Sequence, residues 1–155
     1  YYSESMKIAK QDGNAISVII CLAGFALCEV MAKNSDAKNY LRESIQLSQQ
    51  IHFYEALAWS MEIWALVSIN EGNYVHAVTL MGAVDHLRET TQLPVWDDLH
   101  AIILDANQQL HKLLGDDEFT HAWDNGVNMS LDRMLEYAME EGVGEIKAGM
   151  VEQSH

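Results

Sequence analysis

Residues 53–77 read FYEALAWSMEIWALVSINEGNYVHA, and this stretch is the clearest indication of the fold. Large apolar side chains recur through 53–70 at helical spacing, which predicts a helix buried on most of its sides. Glu71-Gly72-Asn73 then interrupts the pattern with a turn. The amphipathic segment 74–90 follows, so the sequence predicts a hairpin of one buried helix and one half-exposed helix over residues 53–90.

The same pattern precedes this hairpin. Residues 15–32 are strongly apolar, Lys33-Asn34-Ser35 predicts a turn with Ser35 as helix cap, and 36–50 are amphipathic. Aligning the two hairpins gives a period of 40 residues, which pairs Ala37 with Ala77, Leu41 with Met81 and Leu27 with Val67. Helical hairpins at such a period are typical of stacked α-solenoids, in which neighbouring units bury each other's apolar faces. We therefore predict an all-α, tetratricopeptide-like α–α superhelix.

The remaining chain leaves this period. Leu93-Pro94 is predicted to start a long helix that stops at Gly115; Asp116 caps a short helix ended by Gly126, and Ser130 caps the last helix. This atypical end unit, residues 91–140, would close the exposed end of the stack. The predicted organisation is one domain over 1–140, with an N-terminal half-repeat in 1–12, hairpins at 15–50 and 53–90, and a weakly ordered tail at 141–155.

Composition narrows the functional classes. The chain has 155 residues with 23 acidic and 9 basic side chains, giving a formal charge of −14. Such a surface repels phosphate backbones and anionic lipid, so we expect no direct nucleic-acid binding and no membrane binding. A single Pro and 9 Gly leave little turn material for a β fold. The first residue is Tyr1, which suggests a fragment.

The two cysteines favour a cytoplasmic location. Cys21 and Cys28 lie two helical turns apart, about 10 Å, which is too far for a disulfide. Both are predicted to be buried thiols of an intracellular protein.

Several blocks of the second half carry a family resemblance. Residues 77–89 read AVTLMGAVDHLRE and are followed by Leu114-Gly115, by Phe119-x-x-Ala122-Trp123-x-x-Gly126 and by Met129-Ser130-Leu131. Their order and spacing resemble the C-terminal stretch after the tetratricopeptide-like repeats of bacterial signalling ATPases and LuxR- or AfsR-type transcriptional regulators. The resemblance covers residues 1–140. It implies a helical-repeat sensor or scaffold region of a multidomain regulator, with no cofactor and no catalytic residue in this chain.

Two pairs of side chains raise a metal hypothesis. Asp97-x-x-His100 and Glu118-x-x-His121 each place a carboxylate and an imidazole one helical turn apart, as in di-metal helical bundles. The inward glutamates that complete such sites are missing from the pattern. We therefore expect no metal, no cofactor and no enzyme, and keep a small helical metal-dependent enzyme as the alternative. His76 and His86 are predicted to be surface or rim residues.

A concave groove is the predicted binding surface. With Ala77 at the small-residue position of its helix, the groove side carries Trp59, Glu62, Leu66 and Asn70 from one inner helix and Leu22, Ala26 and Glu29 from the other. A Trp flanked by acids suits a peptide or small ligand with an apolar body and a cationic end. The sequence thus favours a non-catalytic module that binds a protein or small ligand and contacts other domains of its parent chain. Self-association as a homo-oligomeric structural segment is a further hypothesis.

Overall fold

The computed structural model describes residues 13–34 and 36–140. Within these ranges the chain forms seven α-helices and no β-strand. The helices are α1 (Ala15–Met31), α2 (Ala37–Gln50), α3 (Tyr54–Asn70), α4 (Tyr74–Thr91), α5 (Asp97–Leu114), α6 (Asp116–Val127) and α7 (Leu131–Glu140). The predictions for residues 1–12, for Ser35 and for the tail 141–155 lie outside the described residues.

The first four helices stack in chain order. Helix α1 packs against α2, α2 against α3 and α3 against α4, while α1 also packs against α3. Their shared core contains the fully buried side chains of Leu41, Met61 and Trp64. The predicted all-α fold of stacked helices is confirmed, and it is consistent with a helical-repeat superhelix. The domain boundaries given above stay a prediction.

The three turns that join α1 to α4 share one backbone geometry. Each has one residue in the left-handed region, at Lys33 (φ 59°), His52 (φ 57°) and Gly72 (φ 81°). The next residue donates its backbone N–H to a carbonyl five residues back, which defines a Schellman motif. These bonds are Asn34 N to Glu29 O at 2.8 Å, Phe53 N to Ser48 O at 2.9 Å, and Asn73 N to Ser68 O at 2.8 Å. Gly72 supplies this conformation without strain, whereas Lys33 and His52 adopt it at a cost.

Helix α6 lies unusually close to α4. A Cβ atom added at Gly126 would overlap the carbonyl oxygen of Thr79 and lie 2.8 Å from the backbone nitrogen of Ala83. A Cβ atom added at Gly82 would overlap the carbonyl oxygen of Trp123. The two glycines therefore let the two backbones touch, and they belong to the sequence blocks that carry the family resemblance. Gly126 was predicted to end its helix, and α6 ends one residue later, at Val127; the close approach to α4 requires the glycine at this position.

A buried histidine connects three helices. The prediction that His76 is a surface residue is wrong: its side chain is 1% exposed because α7 covers it. Its Nε2 lies 2.8 Å from the backbone carbonyl oxygen of Tyr137, which can only accept, so Nε2 carries a proton and donates. Its Nδ1 lies 2.7 Å from the Ser68 hydroxyl, and its ring stacks on that of Tyr137 at 4.5 Å. His76 thus holds α7 onto the α3–α4 hairpin.

Some local predictions also need correction. Cys21 is buried as expected, but Cys28 is exposed. Helix α5 begins at Asp97 rather than at Leu93, because the backbone of Trp96, directly before it, is extended. Asp116 is the first residue of α6 and not its cap, a position that Gly115 takes. Ser130 is confirmed as a cap, because its hydroxyl accepts the Arg133 backbone N–H at 3.1 Å.

Candidate functional site

An apolar cavity lies where α1, α3 and the α4–α5 connection meet. Its volume is about 360 Å³, within the range of small-molecule sites. It is open to solvent, since Ile20 and Val95 at its rim are 47% and 42% exposed. The lining residues are Ile20, Ala23 and Gly24 of α1, Glu55 and Trp59 of α3, and Val95 and Trp96 of the connection.

The connection between α4 and α5 positions one wall of this cavity. Gln92 directly follows the end of α4 and adopts the left-handed conformation (φ 54°). The Gln92 backbone N–H donates a hydrogen bond to the Arg88 carbonyl oxygen, with an N–O distance of 2.7 Å. Pro94 then cannot continue a helix. Trp96 remains extended (φ −86°, ψ 107°) before α5 begins. As a result, the chain carries Val95 and Trp96 across the first turns of α3 instead of returning directly into a helix.

Two indole rings form part of the cavity wall, and a phenyl ring packs against one of them. The ring centroids of Trp59 and Trp96 are 5.8 Å apart with planes at 68°, an edge-to-face arrangement. Phe53 supports the other side of Trp59 at 5.7 Å and 71°. The indole Nε1 of Trp59 is shielded from solvent and finds no hydrogen-bond acceptor among the described residues. Edge-to-face contacts of this kind hold large apolar rings in fixed orientations.

Glu55 is the charged side chain of the cavity wall. It lies in the first turn of α3, where a carboxylate is favoured by the helix dipole. No Lys, Arg or His lines the cavity, and no ion pair to Glu55 occurs within residues 13–34 and 36–140. The cavity therefore combines apolar walls with one carboxylate that has no cationic partner in the described part of the chain.

Of the seven predicted groove residues, Trp59 is the one that lines this cavity. Leu22 and Ala26 are fully buried and Leu66 is 6% exposed, because α1 and α3 pack against each other there. These three side chains belong to the interior and not to an open groove surface. Their binding role stays a prediction, and they can contribute to it only as packing beneath the exposed wall.

Glu62 does not line the cavity and instead pairs with Arg88. Its carboxylate is 4% exposed and accepts from the Arg88 guanidinium at 2.6 Å, which joins α3 to α4. Partial burial and the nearby Glu89 carboxylate raise the pKa of Asp85 above its usual value, and they have a larger effect than the positive charge of Arg88, which lowers it. Glu62 therefore takes part in an interhelical ion pair rather than presenting a free charge to a ligand.

The two remaining predicted residues lie at the other end of the helices. Asn70 donates from Nδ2 to the Val30 carbonyl at 3.0 Å and thereby satisfies a terminal carbonyl of α1. Glu29 is half-buried near the same end of α1. The structure does not bring either residue to the cavity that Trp59 lines.

The carboxylate–histidine pairs do not converge. Glu118 and His121 are both exposed on α6, while Asp97 is exposed and His100 is half-buried on α5. In the part of the chain that the structure describes, no three His, Cys, Asp or Glu side chains are arranged to hold a metal ion. Nor is any described helix long and apolar enough to cross a membrane.

Glu55 and Trp96 were not predicted from the sequence as site residues. Trp96 follows Pro94 at the start of a helix, and a local pattern does not say which surface such a connection crosses. Glu55 lies four residues before Trp59, so both occupy one face of α3, and this spacing was the available signal.

Comparison with known proteins connects the chain to transcriptional regulators. It is 28% identical over 114 residues to "Putative HTH-type transcriptional regulator Rv0890c" of Mycobacterium tuberculosis and, equally, to "Putative HTH-type transcriptional regulator Mb0914c" of Mycobacterium bovis. These matches cover 72% of this chain and 12% of each relative, so the chain spans about an eighth of their length. No family model and no solved structure matches the chain. The chain is thus similar to one part of proteins named as regulators.

Proposed function

We propose that this chain is a non-catalytic, ligand-binding repeat region of a larger bacterial transcriptional regulator. The observation that carries the proposal is the similarity over 114 residues to one part of proteins named as regulators. The stacked hairpins support it, because repeats of this kind present extended surfaces and cavities for binding. The tetratricopeptide-like character and the cytoplasmic location predicted from the sequence are part of the proposal.

The composition of the cavity supports a binding role over a catalytic one. In the described part of the chain, its lining offers one carboxylate, Glu55, together with apolar and aromatic side chains. Nucleophilic catalysis by a hydroxyl, thiol or amine needs such a group beside a base, and the described lining residues include no Ser, Cys, Lys or His. A site of this composition is suited to recognising a ligand's shape and charge.

The position of the cavity suggests how binding is transmitted. Its walls come from α1, α3 and the α4–α5 connection, and α4 is in turn packed against α6. A ligand that binds one arrangement of these segments better than another shifts the population toward that arrangement. The altered packing between hairpins would then reach the other domains of the parent chain, which are the proposed partners, and the module would act without contacting DNA itself.

The test uses the full reading frame that contains this chain. We expect it to encode a DNA-binding domain, and we expect Trp96→Ala to change transcription of a reporter while the protein's affinity for its DNA stays within about twofold. A reading frame that lacks a DNA-binding domain would contradict the proposal. So would a Trp96→Ala variant that folds normally and leaves transcription unchanged under all growth conditions tested.

A further inference from the structure

We propose that the cavity between α1, α3 and the α4–α5 connection binds a small organic cation, namely a quaternary ammonium compound such as choline. The inference deepens the proposed function and rests on it for its regulatory meaning. It is carried by the two indoles, the unpaired carboxylate and the size of the cavity.

The two indoles provide the first recognition element. Trp59 and Trp96 both line the cavity, and their ring centroids are 5.8 Å apart. An ammonium group over the face of one of these rings, within about 6 Å of its centroid, is attracted by the ring quadrupole, and the second indole bounds the same space. Because Phe53 supports Trp59 and Trp96 is held at the start of α5, the rings are already in place before a ligand binds.

The electrostatics select the sign of the ligand's charge. Among the described residues, Glu55 contributes a carboxylate without a cationic partner, and no basic side chain of this part of the chain lines the cavity. The formal charge of −14 adds a long-range field that attracts cations and repels anions. Phosphates, nucleotides and fatty acids are therefore disfavoured at this site, whereas a cation is attracted both by the Glu55 carboxylate and by the net negative charge of the chain.

The apolar lining selects the kind of cation. A primary ammonium group brings three N–H donors that must find acceptors once they leave water. Among the lining side chains, the carboxylate of Glu55 is the acceptor available, while Ile20, Ala23 and Val95 offer only hydrocarbon. A quaternary ammonium group has no donor to satisfy and spreads its charge over methyl groups that pack well against these walls. At about 360 Å³ the cavity also has room for an apolar substituent.

The experiment measures tryptophan fluorescence while choline chloride is added at constant ionic strength. The comparison ligand is 3,3-dimethylbutan-1-ol, which has the same shape as choline but carries a carbon in place of the charged nitrogen. We expect saturable binding of choline with a dissociation constant of about 1 mM, and binding of the alcohol weaker by about tenfold. Equal affinity for the two ligands, or no saturable response to choline, would overturn the proposal.

A matched pair of variants tests the role of the carboxylate. Glu55→Gln and Glu118→Gln make the same chemical change in the first turn of a helix and remove the same net charge, but Glu118 is exposed on α6, whose residues do not line the cavity. We expect Glu55→Gln to weaken choline binding by about tenfold and Glu118→Gln to change it less than twofold, with both circular dichroism spectra unchanged. Similar effects of the two variants would mean that only the overall charge matters, which contradicts a built site.

Other outcomes identify other occupants. If the fluorescence changes with protein concentration and not with choline, a second copy of the chain fills the cavity and the proposal is wrong. Choline binding without any DNA-binding domain in the reading frame would contradict the proposed function and leave this inference standing. A regulator that responds normally but does not bind choline would contradict this inference alone.

Discussion

The backbone contact between α4 and α6 offers a direct test of how the end unit is attached. Substituting Gly126 by Ala adds one methyl group where α6 meets α4. That methyl group would overlap the Thr79 carbonyl oxygen and lie 2.8 Å from the Ala83 nitrogen. All of these neighbouring atoms belong to backbone and not to flexible side chains, so no rotamer change can relieve the overlap. The two helices must move apart.

The magnitude follows from two opposing effects. Overpacking a well-packed interface costs about 1–3 kcal/mol, and the upper end applies because rigid backbone must move. Replacing Gly by Ala inside a helix returns about 1 kcal/mol of helix propensity. The net expectation is a loss of about 2 kcal/mol in the free energy of unfolding. For a chain of this size that corresponds to a melting temperature lower by about 4–8 °C.

Urea denaturation and thermal melting, both followed by circular dichroism, measure the effect. The control is Asn125→Ala, which adds helix propensity at the neighbouring exposed position of α6 and should leave stability equal or slightly higher. If Gly126→Ala were as stable as the native protein or more stable, propensity alone would govern this position. The inferred backbone contact between α4 and α6 would then be incorrect.

Four further predictions concern other parts of the molecule. Lys33→Gly and His52→Gly relieve left-handed backbone at two turns and should each raise the free energy of unfolding by about 0.5–1 kcal/mol in urea titrations; a loss in both would contradict the turn geometry. Removing one partner of the buried ion pair, by Glu62→Met or Arg88→Met, should cost about 3 kcal/mol, while combining the two substitutions should recover most of the loss in a double-mutant cycle. Burial and the neighbouring Glu89 carboxylate raise the pKa of Asp85, so the folded state disfavours its charged form. Asp85→Asn should therefore raise the urea midpoint of unfolding at pH 7. This gain should shrink as the pH falls toward 4, because the carboxyl group of Asp85 then becomes protonated. Dialysis against a chelator should leave the melting temperature unchanged, whereas a clear drop would favour the metal-dependent alternative.

The hairpins could be predicted from sequence because their signals are local. Apolar runs at helical spacing and the break at Glu71-Gly72-Asn73 give α3 and α4 nearly at their observed bounds. The turns at Lys33 and His52 have the same Schellman geometry without a glycine, so their equivalence becomes visible only in the backbone. The close contact at Gly126 could not be anticipated either, since it depends on how α6 returns to α4.

The site was predicted less well than the fold for the same reason. Trp59 could be singled out on its own helix, but its neighbour Trp96 reaches the cavity through an extended connection whose path no periodicity encodes. His76 was assigned to the surface because nothing in its own helix shows that α7 covers it. Glu62 was expected to face a ligand, and its partner Arg88 lies on the next helix of the stack. Each of these outcomes depends on contacts between elements that are distant in sequence.

Nuclear magnetic resonance of the indole N–H groups tests most directly whether a cation binds in the cavity that Trp59 and Trp96 line. The chain has four tryptophans, which give four resolvable indole signals. Two of them line the cavity, at Trp59 and Trp96, whereas Trp64 is fully buried in the core and Trp123 packs beside α4. On addition of choline we expect saturable shifts of the first two signals and none of the other two. Shifts spread equally over all four signals, or confined to Trp123, would show that the cation binds elsewhere.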